Sequence, residues 1–83
     1  MKLKLRYFAS IREALGAGEN FEVADGTTVA AVRDALIARG GAHATALARG
    51  RALRSALDQV LCDENALVAD GSELAFFPPV TGG

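Results

Sequence analysis

Side chains alternate from Lys2 to Phe8, with Leu3, Leu5 and Tyr7 on one side and Lys2, Lys4, Arg6 and Phe8 on the other. A period of two predicts a strand with one buried face. Phe8 extends the polar side, and as an aromatic it is the misfit there. Ser10-Ile11-Arg12-Glu13 has the S-x-x-E spacing of a capping box. It predicts the start of a short helix, with Ile11 and Leu15 a turn apart and Gly16-Ala17-Gly18 stopping it. Glu19 to Val23 reads as a second strand with Phe21 and Val23 inward, closed by the turn signal Ala24-Asp25-Gly26. Thr27 or Thr28 then caps the main helix. Val29, Val32 and Leu36 recur at helical spacing, Arg33, Asp34 and Arg39 are read as lying off that stripe, and Gly40-Gly41 is read as the C-terminal cap.

The second half is less regular. Ala42 to Ala48 suits a short helix, and Arg49-Gly50-Arg51 a turn. Leu53, Leu57 and Leu61 are spaced by four, as in a helix, but the β-branched Val60 and the flanking turns favour one or two short strands. Asp63-Glu64-Asn65 and Asp70-Gly71 read as turns. Glu73 to Phe77 reads as a last strand, with Leu74 and Phe76 on one face and Phe77 on the other. A main helix laid across a mixed four- or five-stranded sheet is the simplest way to bury these apolar faces. The first and last strands are the most apolar, so they belong side by side in the middle. Their parallel pairing, with hairpins at the edges, is the α+β arrangement known as the β-grasp.

Composition narrows the function. With 83 residues, 51% hydrophobic and 23% charged, the chain supports one domain with one small core. A net charge of −1 argues against nucleic-acid binding, which needs a basic face. No run approaches the ~20 apolar residues of a membrane span. Charges interrupt the first six residues, so no signal peptide is read and a cytoplasmic location is expected. The single cysteine, Cys62, forms no internal disulfide and supplies no multi-thiolate zinc site; it reads as a small buried side chain. His43 is the one histidine and has no second ligand at metal spacing, so it reads as a surface residue and no metal site is expected. Such a small chain has little room for a substrate pocket, which moves the expected function to a surface or a terminus.

The most informative segment is Phe77-Pro78-Pro79-Val80-Thr81-Gly82-Gly83. Two prolines end the strand, since neither donates to a sheet ladder. The residues after them carry little side-chain bulk and end in two glycines. The chain thus divides into a folded domain, residues 1–77, and an extended tail, residues 78–83, with a reach of roughly 20 Å. Such an arm can carry its terminal carboxylate into a buried ATP site. Glycine alone passes a tight channel without a Cβ, and the adenylated carboxylate is then open to a sulfur nucleophile.

Tyr7-Phe8-Ala9-Ser10-Ile11-Arg12-Glu13, together with the run from Asp70 to Gly83, closely resembles the molybdopterin synthase small subunits, a family of ubiquitin-like sulfur carriers. The resemblance covers essentially the whole chain, is weakest over residues 40–56, and is most specific in Phe-Phe-Pro-Pro-Val-Thr-Gly-Gly. Asp58 departs from the asparagine frequent in the family and is expected to affect a turn or a strand end, not sulfur transfer. The resemblance implies a ubiquitin-like β-grasp fold. It implies that Gly83 is adenylated with ATP by a ubiquitin-activating-like adenylyltransferase and becomes a thiocarboxylate. The synthase large subunit then receives the tail, in a heterotetramer, for sulfur transfer to cyclic pyranopterin monophosphate. Gly83 carries the reacting group, Gly82 provides clearance, no bound cofactor is implied, and catalytic side chains belong to the large subunit.

Phe8, Leu61 and Phe77 are candidates for the partner face, together with Pro78, Pro79, Val80 and Thr81 of the tail. Arg6 and Arg12 read as solvated charges, and Arg49, Arg51 and Arg54 as a local basic cluster too small for nucleic acid. Two other readings stay open. The tail chemistry also suits a sulfur carrier of thiamine synthesis or a protein modifier, although Phe-Phe-Pro-Pro speaks against the thiamine type. A plain β-grasp interaction module with an incidental glycine tail is the third.

Overall fold

The structure, a computed structural model, describes residues 1–79. The alternation at the N-terminus becomes β1, Lys2–Tyr7, in which every second residue is buried. Helix α1, Ala9–Leu15, comes next, then β2, Gly18–Glu22, the main helix α2, Val29–Ile37, and the short helix α3, Gly41–Ala46. Strands β3, Arg54–Leu57, and β4, Val60–Cys62, form a hairpin, and β5, Glu73–Phe77, closes the order. The five strands are arranged β2-β1-β5-β3-β4. β1 and β5 are parallel neighbours, with Leu5 opposite Leu74 and Tyr7 opposite Phe76; the other pairs are antiparallel. This is the mixed, five-stranded, α+β sheet with its first and last strands adjacent that the pattern predicts.

The core lies between the sheet and the helices. Leu3, Leu5 and Tyr7 from β1, Leu74 and Phe76 from β5, Ile11 from α1 and Val29, Val32 and Leu36 from α2 are essentially inaccessible to solvent. Each fully buried aliphatic or aromatic side chain contributes about 1.5–3 kcal/mol. Thr28 is the cap of α2: its hydroxyl accepts from the Ala31 N–H at 3.1 Å. The segment after β4 packs across the start of this helix. Glu64 and Ala66 carbonyls accept from the Ala30 and Val29 N–H groups, and the Val68 N–H donates to the Thr27 carbonyl.

Several expectations are corrected. Ser10 caps nothing: the N-cap of α1 lies two residues earlier, at Phe8, with no side-chain cap. The Phe8 N–H is bound to the Phe76 carbonyl and the Phe8 carbonyl accepts from Ile11 and Arg12, so the sheet hands the chain directly to the helix. Ala9 makes the reversal at φ 53°. Gly40-Gly41 is not the C-cap of α2, which is Ala38; Gly40, at φ 76°, instead turns the chain into α3. Arg33 is not off the stripe but 3% exposed. Its guanidinium donates to the carbonyls of Leu47, Ala48 and Arg51 and to Glu64. His43 is not a free surface residue, since its Nε2 lies 2.8 Å from Glu19 Oε2. Cys62 is only partly buried, packed at the margin of the core.

Candidate functional site

The helices cover one side of the sheet. On the other side, strand parity and register place two cross-strand rows. Arg6, Ala75, Ala56 and Leu61 form the first, running over β1, β5, β3 and β4. Phe77 and Arg54 form the second, and the parallel register beyond Tyr7–Phe76 brings Phe8 beside Phe77. Ala56 and Ala75 are small and lie low, at 8% and 7% exposure, yet neither belongs to the core cluster. Leu61 stands 64% exposed at one end and Phe8 39% exposed at the other. The three candidates named from the sequence, Phe8 and Phe77 by strand parity and Leu61 with them, therefore share one face.

The face is an apolar floor with taller apolar side chains at its ends, and the chain leaves it at Pro78. Pro78 and Pro79 are half-buried, continuing from β5. Val80, Thr81, Gly82 and Gly83, which carry the expected tail chemistry, lie outside the described residues. Uncovered apolar surface at the root of such an arm is the arrangement of a docking face.

The β3–β4 hairpin that raises Leu61 turns through Asp58 and Gln59, both left-handed at φ 48° and 70°. This two-residue turn matches the twist of the flanking strands. Asp58 also bonds back to β5: its carboxylate accepts from the Glu73 N–H at 3.0 Å, and its own N–H donates to the Glu73 carbonyl. The position expected to affect a turn is thus the turn itself.

Polar networks on the helix side hold the frame. Glu19 on β2 accepts from the Tyr7 hydroxyl at 2.8 Å and from Arg39 at 2.6 Å, and meets His43. Burial alone would raise its pKa, but the bonds from His43, Arg39 and Tyr7 outweigh that and hold the carboxyl at about 2. Burial, aided by the bond to Glu19, pushes the Tyr7 hydroxyl far above its ordinary value. Burial also pushes the Cys62 thiol up, which disfavours a nucleophilic thiolate. Glu64 joins Arg33 and Arg49, and Arg49 also reaches Asp34 and the Ala30 carbonyl. For Glu64 too burial acts upward and is outweighed by the two arginines, so its pKa falls.

Sequence reading missed Arg33 and the Glu19–His43 pair. The signal for Arg33 was present: it lies four residues after Val29 and three before Leu36, which is the buried spacing itself. Glu19 and His43 are 24 residues apart and leave no local signal. No helix among the described residues is long and apolar enough to cross a membrane.

A five-stranded β-grasp sheet with an uncovered apolar face and a proline-led exit defines the chain as a ubiquitin-like protein. It belongs to the ThiS family, whose model matches residues 5–83. The molybdopterin synthase sulfur carrier subunit of Escherichia coli (strain K12) is 41% identical over 81 residues, 98% of this chain and 99% of that protein. Among solved structures, small archaeal modifier protein 1 of H. volcanii superposes with a TM-score of 0.77 at 26% identity, covering 95% of this chain and 98% of that one. Subunits 1 and 2 of the molybdopterin-converting factor of Helicobacter pylori 26695 were solved as a complex. A chain of it matches with a TM-score of 0.70 at 25% identity, each chain covered in full.

Proposed function

We propose that this chain is the sulfur-carrier subunit of a molybdopterin synthase. The observation that carries the reading is the uncovered apolar face that ends at the Pro78 exit, in a chain 41% identical to a relative of that name. In this reading the Gly83 carboxylate attacks the α-phosphate of ATP on a ubiquitin-activating-like adenylyltransferase and expels pyrophosphate. Hydrosulfide then attacks the acyl carbon and displaces AMP, leaving a thiocarboxylate. Gly82 gives the tail clearance. Phe8, Leu61 and Phe77 seat the domain on the large subunit, with Pro78, Pro79, Val80 and Thr81 leading the tail into it. Sulfur passes to cyclic pyranopterin monophosphate, two transfers completing the dithiolene. The solved complex of two such subunits from Helicobacter pylori supports the large-subunit partner. The chain needs no bound cofactor of its own, since ATP is consumed on the activating enzyme, and it works in the cytoplasm.

The test is the intact mass of protein purified from its own cells. A fraction heavier by the difference between sulfur and oxygen, localised to the C-terminal peptide, is expected. Removal of Gly83 is expected to abolish molybdopterin formation while leaving the fold intact. A truncated chain that still supports molybdopterin formation sinks the proposal. The likeness to an archaeal modifier protein favours a second reading, in which the same activated tail is joined to protein amines. Recovery of the chain linked to lysines of other proteins, in place of a large-subunit complex, identifies that outcome.

A further inference from the structure

The open face is basic on a chain whose net charge is −1. Register places Lys2, Lys4, Arg6 and Arg54 there against two carboxylates, Glu22 and Glu73. Lys2 stands opposite Glu22, and Arg6 makes a long contact of 3.4 Å with Glu73. Among the described residues neither Lys4 nor Arg54 forms an ion pair. The surplus charge is therefore concentrated around the apolar rows.

Arg6 stands at the β1 end of the first row. It belongs to the same row as Ala75, Ala56 and Leu61 and is the one charged residue of that row. Its guanidinium carbon lies 5.7 Å from the centre of the Phe8 ring, a cation–π distance. Stacked on Phe8 and loosely tied to Glu73, the side chain is held over the face while remaining 48% exposed. A guanidinium has five N–H donors, so most of them are available to an incoming acceptor.

Beside it lies a shallow depression of about 380 Å³, lined among others by Lys4, Arg6, Gly18, Glu19 and Asn20; the Glu19 carboxylate is bound on the helix side by Tyr7, Arg39 and His43. Gly18 is opposite Arg6 in the β1–β2 register. A Cβ there would stand 2.1 Å from the Leu5 carbonyl oxygen, so close strand approach keeps this position bare of a side chain. The result is a space flanked by two cations at the margin of an apolar floor.

We propose that this depression receives an aspartate or glutamate side chain of the docking partner, and that Arg6 is the residue that sets partner specificity. The fitting partner is a protein surface with an apolar patch over Ala56, Ala75 and Leu61 and a carboxylate that reaches Lys4 and Arg6. The inference rests on the reading of the open face as the seat of the synthase large subunit, and it adds the charge requirement. Planar guanidinium and carboxylate pair in a bidentate manner, which fixes register as well as adding attraction. At a half-exposed margin the pair acts chiefly through association rate, and it weakens with salt.

Binding of the purified large subunit is measured in low and high salt for four full-length chains: the parent, Leu61→Asp, Arg6→Leu and Arg6→Glu. Arg6→Leu keeps an apolar cover on Phe8 and guards against misfolding from a new carboxylate beside Glu73; thermal melts check both. In low salt Arg6→Leu is expected to weaken binding about threefold to tenfold, and Arg6→Glu by more than about tenfold, mostly in the association rate. Both losses shrink in high salt. Equal binding by the parent and both Arg6 variants, with Leu61→Asp impaired, overturns the role of Arg6 and leaves the docking face standing. Unimpaired binding by Leu61→Asp, or no binding by the parent, overturns the docking face and the inference with it.

Discussion

The two sides of one sheet are made by the same strands and the same alternation, yet they meet opposite fates. Toward the helices, β1 and β5 present Leu3, Leu5, Tyr7, Leu74 and Phe76, all at 1% exposure or less. Toward solvent the intervening positions are Arg6, Ala75, Phe8 and Phe77. The helix side is large, apolar and closed by polar clamps at its edges. The open side is low in the middle, higher at the ends and ringed by cations. The difference teaches a division of labour: burial on one side supplies stability, and unburied apolar area on the other is kept for a partner.

The sharpest test uses neighbours in the chain. Phe76→Ala is expected to cost about 3–5 kcal/mol in chemical denaturation, a large part of a small domain's stability. Phe77→Ala is expected to cost no more than about 1 kcal/mol and instead to weaken large-subunit binding. Equal costs at the two positions would dissolve the comparison. Next comes Arg33→Ala, which strands the carbonyls of Leu47, Ala48 and Arg51 and the Glu64 carboxylate. A loss of about 2–4 kcal/mol is expected, with little restored by lysine, which lacks the planar fork.

Acid reaches the helix side through Glu19. Its pKa is about 2 in the folded chain against an ordinary 4.5. A lowered carboxyl stabilises the fold fully above the unfolded value and loses that contribution as pH falls from 4.5 toward 2. Melting temperatures of the parent and Glu19→Gln are therefore expected to converge across that window, and a constant gap would refute the assignment. The smallest effect is at Ala9, whose φ of 53° is unfavourable for an L-residue. Ala9→Gly is expected to stabilise the domain by about 1 kcal/mol, read as a higher denaturation midpoint.

Much of the frame was legible before the structure. The last strand has the predicted limits, Glu73–Phe77, and the first stops one residue before Phe8. Alternation is strong there because one side is wholly buried. The candidate face was legible for the same reason: Phe8 and Phe77 have the wrong parity for the core. Legibility failed where partners are distant. The capping box at Ser10 is locally sound, but the Phe8–Phe76 backbone bond starts the helix earlier. Arg33 was assigned to solvent by its charge, because the carbonyls that receive it lie 14 to 18 residues away. The basic margin around Arg6 needs the register of all five strands at once.

The amino-acid sequence by itself determined the strands, the main helix, the parity that sets Phe8 and Phe77 apart and the glycine-tipped run after Pro79. Each comes from the period of side-chain direction or from the backbone limits of proline and glycine. Tertiary structure alone decided where α1 begins, that Arg33 is buried, that Glu19 and His43 meet, and that Leu61 shares a row with Arg6. These depend on groups brought together across the sheet, and no local period encodes such contacts.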